Sequence, residues 1–349
     1  MENRIQKLLN SVNDDEAIFI SSYPNIFYYS GFKSEDAFLL ISKDKRLIIT
    51  DSRYTVQAKE QATGFEIIDI SCGFKNIFSK ISENRIGFED QNVTVAQYEK
   101  YKSELGNKEL FAMQCKINAP RQVKDKDEIK KIAEAERLSD EAFKYVLDKI
   151  KDGITEKNIA FELEFYMRRH GASALSFNTI AASGVRGAMP HGLASDKVIK
   201  NGELLTLDFG CVLDGYCSDM TRTIAVGSIS DWQREIYDIV LKAQTAALKT
   251  VSAGKQCAEI DAAARKIITD AGYGKNFGHA LGHSVGIEIH ENPNFSPKSK
   301  DIVEIGNVIT VEPGIYIDGM GGVRIEDVIA VTENGAVNIT HSPKELIIK

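Results

Sequence analysis

The stretch ELLTLDFGCVLDGYCSDMTRTIAV (203–226) consists of two apolar, β-rich runs around Leu213-Asp214-Gly215-Tyr216. Asp-Gly is a favoured two-residue hairpin turn, because its central residues need positive φ. With Asp214-Gly215 as the loop, Leu213 faces Tyr216 and Asp208 lies opposite Thr221. Asp219 is then the diagonal neighbour of Asp208 on the same face. Diagonal neighbours approach to roughly 7–8 Å, and a bulge brings them closer. Two carboxylates held that close on a mostly apolar strand repel unless a cation sits between them.

A second stretch, NVITVEPGIYIDGMGGVRIEDVIAV (307–331), repeats the arrangement. A turn centred on Gly319 sets Glu312 opposite, or next to opposite, Glu326. Four acidic side chains with a histidine suit manganese, cobalt or zinc better than a closed structural zinc site does. Two ions bridged by carboxylates, about 3.5–4 Å apart, form the usual hydrolytic centre.

Outward from the hairpins the pattern turns helical. Ile129, Ile132, Ala133, Leu138, Ala142, Phe143, Val146, Leu147 and Ile150 recur at helical spacing, and the pattern stops at Asp152-Gly153. A second helix starts behind Thr155 as N-cap and ends at Gly171. The scheme then recurs: Asp231 caps a helix to about Ser252, Gly254 breaks it, and a further helix ends at Ala271-Gly272. Asp208 and Glu312 fall at nearly equal distances behind the starts of their helix pairs, at 125 and 231. Two halves of helix–helix–hairpin imply an internal duplication within one catalytic domain.

Residues 1–118 read differently. AIFIS (17–21), AFLLIS (37–42), RLIIT (46–50), FEIIDI (65–70) and RIGF (85–88) look like strands, with helical TVQAKEQA (55–62) and TVAQYEKYKSEL (94–105) between. That alternation predicts a small α/β domain, with NAPRQ (118–122) as linker because Pro120 disfavours regular structure on either side. The catalytic domain is expected over 119–349.

Of six histidines, four flank the hairpins: His191 in AMPHGLASD, and His279, His283 and His290 in FGHALGHSVGIEIHENP. His279 and His283 have the spacing of a helical metal pair, but Gly278 and Gly282 argue for a loop entering a strand. Taken singly, each group has a blander reading. A lone Asp is more often a solvated strand-edge carboxylate, and a lone His more often hydrogen-bonded core. The glycines between 272 and 286 fit no phosphate-loop pattern, and Cys211 and Cys217 read as small buried strand residues. The conjunction of two carboxylate hairpins with the clustered histidines outweighs these alternatives.

Bulk properties exclude other classes. At 349 residues, 43% hydrophobic and 27% charged, the chain has ordinary globular composition and room for two domains. A net charge of -7 argues against nucleic-acid partners. No apolar run at the N-terminus suits a signal peptide, and none suits a membrane span. Five scattered cysteines, an odd number without CxxC spacing, predict reduced thiols in a cytoplasmic protein.

LDFGCVLDGYCSDMTRT, GHALGHSVG, VEPGIY and GVRIED resemble the metal-binding segments of the pita-bread metallopeptidases, the family of methionine aminopeptidase, aminopeptidase P and prolidase. The resemblance covers about residues 120–340, and TDSRY (50–54) with its domain resembles the N-terminal domain of the proline-specific branch. It implies an α+β architecture, with a C-terminal pita-bread domain of curved antiparallel sheet and two helix pairs behind the smaller α/β domain. Asp208, Asp219, His283, Glu312 and Glu326 become the ligands of two divalent cations, manganese first, with cobalt or zinc as alternatives. His191 and His290 become groups that contact the substrate and its developing oxyanion. Arg324 becomes a supporting or substrate-binding group, and His279 a lining residue of the substrate pocket. Glu312 doubles as proton acceptor. The implied activity is hydrolysis between an N-terminal residue and proline, in dipeptides or short peptides, by a homodimer. Methionine aminopeptidase activity is the alternative, weakened by the extra domain. A metal-free binding protein on the same fold is another, and it has no physical need of four adjacent carboxylates.

Overall fold

The computed structural model describes residues 2–349, and the chain divides after Arg121 into two compact units. In the first, six strands form one mixed sheet: β1 (Glu16–Ile20), β2 (Ala37–Ile41), β3 (Arg46–Thr50), β4 (Glu66–Asp69), β5 (Arg85–Phe88) and β6 (Glu109–Ala112). Their order is β4-β3-β2-β1-β5-β6, antiparallel for β1–β2 and β2–β3 and parallel for the other pairs. Helices α1 (Glu2–Leu9), α2 (Tyr23–Ser30), α3 (Thr55–Gln61), α4 (Phe74–Phe78), α5 (Val95–Glu104) and α6 (Gln114–Gln122) complete it. The apolar runs of the strands meet an aromatic cluster in which Phe19 lies 5.1 Å from Tyr101 and 5.4 Å from Phe78, both edge-on.

One expectation fails here. NAPRQ is not an irregular linker but the end of α6, with Pro120 inside the helix. Proline forfeits one helical hydrogen bond, and tertiary contacts offset the loss. Tyr28 Oη donates to Pro120 O at 2.9 Å, Tyr29 Oη donates to Ile117 O at 2.6 Å, and Arg121 Nη1 donates to Asn25 Oδ1 at 3.1 Å.

The second unit is built from two helix pairs: α7 (Lys126–Leu147) with α8 (Glu156–Arg169), and α9 (Asp231–Thr250) with α10 (Cys257–Asp270). Asp125 and Glu128 form a capping box on α7, and Thr155 accepts from Asn158 N at the start of α8. Ser230, not Asp231, caps α9: its hydroxyl accepts from Gln233 N, leaving Asp231 as the first helical residue. An acidic first residue still complements the helix N-terminus, which is why Asp231 mimics a cap in the sequence.

Strands of this unit are β7 (Ala174–Leu175), β8 (Ile180–Ser183), β9 (Glu203–Phe209), β10 (Cys211–Leu213), β11 (Tyr216–Cys217), β12 (Met220–Val226), β13 (Gly282–Ser284), β14 (Glu291–Phe295), β15 (Val308–Val311), β16 (Gly314–Ile317), β17 (Gly321–Arg324), β18 (Asp327–Thr332) and β19 (Gly335–Asn338). They pair antiparallel in the orders β11-β10-β7, β12-β9-β8, β14-β13-β15-β18-β19 and β16-β17. Asp214 and Gly215 have φ of 49° and 82°, and the expected register holds: Leu213 pairs with Tyr216, and Asp208 with Thr221. In the second hairpin Gly319 has φ of 72°, and Val311–Asp327 and Gly314–Arg324 keep the register centred on it.

Each helix pair covers its own half of the sheet. Leu138, Phe143 and Val146 of α7 pack with Leu163 and Met167 of α8 against Leu205, Leu207 and Phe209 of β9. Ile236 and Val240 of α9 pack with Ile260 and Ile268 of α10 against Ile309, Val311 and Ile329. Each such buried side chain contributes about 1.5–3 kcal/mol. Between the halves, β12 runs beside the β17–β18 segment. Glu326 N donates to Thr221 O at 3.1 Å, Thr223 Oγ1 donates to Arg324 O at 2.9 Å, and buried Arg222 Nη2 lies 2.8 Å from Asp327 Oδ1.

Candidate metal centre

The five carboxylate and imidazole groups sit at breaks and bends of this sheet. Asp208 is the last residue but one of β9, Asp219 precedes β12, Glu312 lies between β15 and β16, and Glu326 lies between β17 and β18. His283 lies in β13, where the register to β14 shifts between His283 and Ser284. Such a bulge re-aims a side chain out of the ordinary alternation. Gly282 before it lets β13 approach β15, since a Cβ there would lie 1.9 Å from Thr310 O.

Asp219, His283 and Glu326 each offer one ligand atom, all within 4.8 Å of one another. His283 Nε2 stands 3.5 Å from Asp219 Oδ2 and 3.4 Å from Glu312 Oε1. Its Nδ1 lies 3.2 Å from Ser284 O, a carbonyl that can only accept, so Nδ1 carries the proton and the Nε2 lone pair faces the carboxylates. Burial, helped by the neighbouring His290, lowers the His283 pKa to about 4 and keeps the ring neutral.

Neighbouring side chains hold the carboxylates. Thr310 Oγ1 donates to Glu312 Oε1 at 3.1 Å, Thr221 Oγ1 donates to Glu326 Oε2 at 2.6 Å, and Asp219 N donates to Glu136 Oε1 at 2.6 Å. Arg324 Nη2 donates to Asp208 Oδ2 at 2.5 Å, its Nε to Thr221 Oγ1, and its Nη1 to Tyr316 Oη and Pro190 O. Tyr316 Oη in turn lies 3.0 Å from His279 Nε2, while His279 Nδ1 lies 2.7 Å from Ala280 O.

Charge is crowded. Burial and mutual repulsion with Glu326, Asp208 and Glu312 push the Asp219 carboxyl well above its usual range. Glu326 moves the same way, from burial and the charges of Glu312 and Asp208. Burial raises Glu312 to about 8 against the opposing pull of Arg324. Two oxygens in this group, Asp208 Oδ1 and Glu326 Oε1, are buried without a hydrogen-bond partner. Buried polar atoms are nearly always satisfied. Orphaned carboxylate oxygens beside a histidine lone pair are the donor set of a divalent cation, so these residues fit one.

A cavity of about 770 Å³ opens onto the group, and its lining includes all nine residues singled out in the sequence: Asp208, Asp219, His283, Glu312 and Glu326 with His191, His279, His290 and Arg324. His290 stands edge-on to His283 at 4.4 Å between ring centroids. The sequence reading overlooked Glu136, Thr221, Thr310 and Tyr316. Glu136 does carry a signal, as a charged residue on the apolar face of α7 between Ile132 and Phe143. The two threonines read as ordinary strand residues.

The chain belongs to metallopeptidase family M24, which matches residues 130–333; residues 3–123 match the creatinase/prolidase N-terminal domain. It is 46% identical over 337 residues to an uncharacterized peptidase of Bacillus subtilis, covering 95% of this chain and 96% of that one. Its structure is similar to an Xaa-Pro dipeptidase from Bacillus anthracis, with TM-score 0.96, 42% identity, and coverage of 100% and 99% of the two chains. It is also similar to an X-Pro aminopeptidase from Thermotoga maritima, with TM-score 0.92, 37% identity, and coverage of 99% and 100%. The protein is thus a metallopeptidase of α+β architecture that uses divalent metal ions, its pita-bread domain following the smaller N-terminal one in sequence. Among the described residues no helix is long and apolar enough to cross a membrane.

Proposed function

We propose that this chain hydrolyses the bond between an N-terminal residue and proline in short peptides, using two divalent cations held by Asp208, Asp219, His283, Glu312 and Glu326. The observation that carries the reading is the pair of orphaned oxygens, Asp208 Oδ1 and Glu326 Oε1, contributed by different hairpins to one cavity. The related structures, an Xaa-Pro dipeptidase and an X-Pro aminopeptidase, supply the proline preference. Bound cations supply Lewis acidity and a water activated near neutral pH. Manganese is the first choice, with cobalt and zinc next, from the mixed carboxylate–imidazole donor set.

The chain's own residues supply the rest. Glu312, ionised beside the bound cations, takes a proton from the attacking water and passes it toward the leaving nitrogen. His290 and His191 line the cavity and donate hydrogen bonds to the tetrahedral oxyanion, an effect worth about 2.7–4 kcal/mol per donor. Arg324 and Tyr316 orient Asp208 and the imidazole of His279. A homodimer is part of the reading, from the family resemblance. So is a cytoplasmic location, which the five free cysteines support.

The test is a peptide panel, including Xaa-Pro, Xaa-Pro-Xaa and Met-Ala-Xaa sequences, assayed with chelator-treated protein and after addition of manganese, cobalt or zinc. Hydrolysis at Xaa-Pro only after metal addition supports the proposal. Full turnover in metal-stripped buffer, or cleavage confined to Met-Ala-Xaa, defeats it.

A further inference from the structure

We propose that Glu156 is a positioning residue for His191: its carboxylate fastens both ends of the loop 183–195 and so holds the imidazole at the cavity. This rests on the role given to His191 in the Xaa-Pro reading above. Functional side chains on loops are only as well placed as the scaffold beneath them. The His191 ring is exposed and, among the described residues, forms no hydrogen bond, so its aim comes from its backbone.

One carboxylate fixes the base of that backbone. Glu156, the first residue of α8, is fully buried and does not line the cavity itself. Its Oε1 accepts from Ser183 N and Ser183 Oγ, both at 2.8 Å, where the chain leaves β8. Its Oε2 accepts from Ser195 N at 3.2 Å and Ser195 Oγ at 2.6 Å, where the loop closes. Arg186 supplies a fifth donor, with Nε 3.0 Å from Oε2, and its Nη2 reaches across to Leu193 O at 2.6 Å. Hydrogen bonds to an ionised group are roughly twice as strong as neutral ones. An acidic residue in a helix's first turn is favoured for its charge alone, but that does not require it to gather donors from both ends of another segment. The loop's far side is seated on the metal centre. Pro190 O accepts from Arg324 Nη1 at 3.2 Å, and Arg324 Nη2 holds Asp208. Gly187 lies against β17, where an added Cβ would stand 3.1 Å from Gly322 N. Between these two fastenings His191 and Leu193 face the cavity.

A purely structural carboxylate would cost stability without acting through one histidine, so the test is a double-mutant cycle on the full metal-loaded chain. Glu156→Gln is made in the wild type and in His191→Ala, with Ala-Pro and Ala-Pro-Ala as substrates. Glutamine keeps the volume but turns an amide NH₂ toward donors already aimed at an acceptor. Alone, it is expected to lower kcat/KM by about tenfold to a hundredfold, the size of effect that a misplacement of about 1 Å produces. In the His191→Ala background the further loss is expected to be about twofold or less, since both changes then remove one function. Manganese affinity by calorimetry is expected to stay unchanged. Amide exchange in the metal-free chain is expected to quicken across 184–194 while β9 remains protected. Should Glu156→Gln fail to fold, the half-buried Arg186→Gln, which removes one donor and the tie to Leu193, is expected to show the same pattern at smaller size. Unchanged activity, equal losses in the two backgrounds, weakened manganese binding or unaltered exchange overturns the inference and leaves the Xaa-Pro reading standing. A wild type that cleaves neither peptide overturns both.

Discussion

Arg324 Nη2 lies 2.5 Å from Asp208 Oδ2, while Oδ1 of the same carboxylate is buried with no hydrogen-bond partner. One oxygen is aimed by the guanidinium and the other is open to the cation proposed above. Arg324→Lys keeps the charge but loses the fork that spans Asp208, Thr221 and Tyr316. Groups that orient metal ligands are commonly worth 10–100-fold in metal affinity or activity. Calorimetric titration with manganese is expected to show a loss of about that size; unchanged affinity would remove Arg324 from the centre.

Crowded carboxyls make metal-free protein sensitive to alkali. Glu312 is raised to about 8 from 4.5, and Asp219 and Glu326 move in the same direction. A carboxyl raised on folding stays protonated in the native state after the unfolded chain has released its proton. Its stabilisation is complete below pH 4.5 and is lost as pH climbs toward 8. The melting temperature of chelator-treated protein is expected to fall across that window. Saturating metal, worth about 2.7 kcal/mol at a hundred times Kd, is expected to protect most at the alkaline end. A melting temperature that climbs from pH 5 to 8 without metal would contradict this.

Gly282 and Gly278 stand four residues apart in the same segment and face opposite circumstances. A Cβ on Gly282 would lie 1.9 Å from Thr310 O, whereas a Cβ on Gly278 would meet nothing within 4 Å. Gly282→Ala is expected to cost about 1–3 kcal/mol, as overpacking does, and to weaken metal binding by displacing His283. Gly278→Ala is expected to be nearly silent. Thermal melts of the two variants side by side decide the point, and equal losses would refute it.

Glu136 is a fully buried carboxyl that accepts the Asp219 N–H, and burial raises its pKa to about 8. Glu136→Ala leaves that N–H and the Thr340 hydroxyl without their acceptor, at a cost of about 1–3 kcal/mol each. Glu136→Gln keeps an acceptor and the volume, so it is expected to stay close to wild type in urea unfolding. Equal damage from both variants would show that the ionised form is required.

His290 stands against His283 without offering an atom to the ligand cluster. His290→Ala is expected to lower kcat by about 10²–10³ while metal content, measured by elemental analysis, stays unchanged. Loss of metal together with activity would instead make the residue a ligand.

Much of the centre was legible because hairpin register is arithmetic. Once Asp214-Gly215 is taken as the turn, the side-chain period of two fixes where Asp208, Thr221 and Asp219 fall. Gly319 does the same for Glu312 and Glu326. What sequence did not show was depth. The α6 helix through Pro120 is held by Tyr28 and Tyr29, partners some 90 residues distant in sequence, which no local pattern registers. Ser230 was missed as a cap because the acidic Asp231 beside it carries a similar signal. Thr221 and Thr310 orient carboxylates through hydroxyls that strand propensity alone already explains. Glu136 goes unread in the sequence although it is a charge on an apolar helix face, because its target, the Asp219 amide, lies 83 residues away.

The contact between Thr221 and Glu326 joins the two helix–helix–hairpin halves of the second unit at the point where their acidic groups converge. In the proposed centre, cation capture would therefore double as a clasp. Each half brings a helix pair already packed against its own strands, but neither owns a complete set of donors. Without the ion, two finished lobes would face one another across a seam of crowded carboxyls, which hold their protons until the pH climbs.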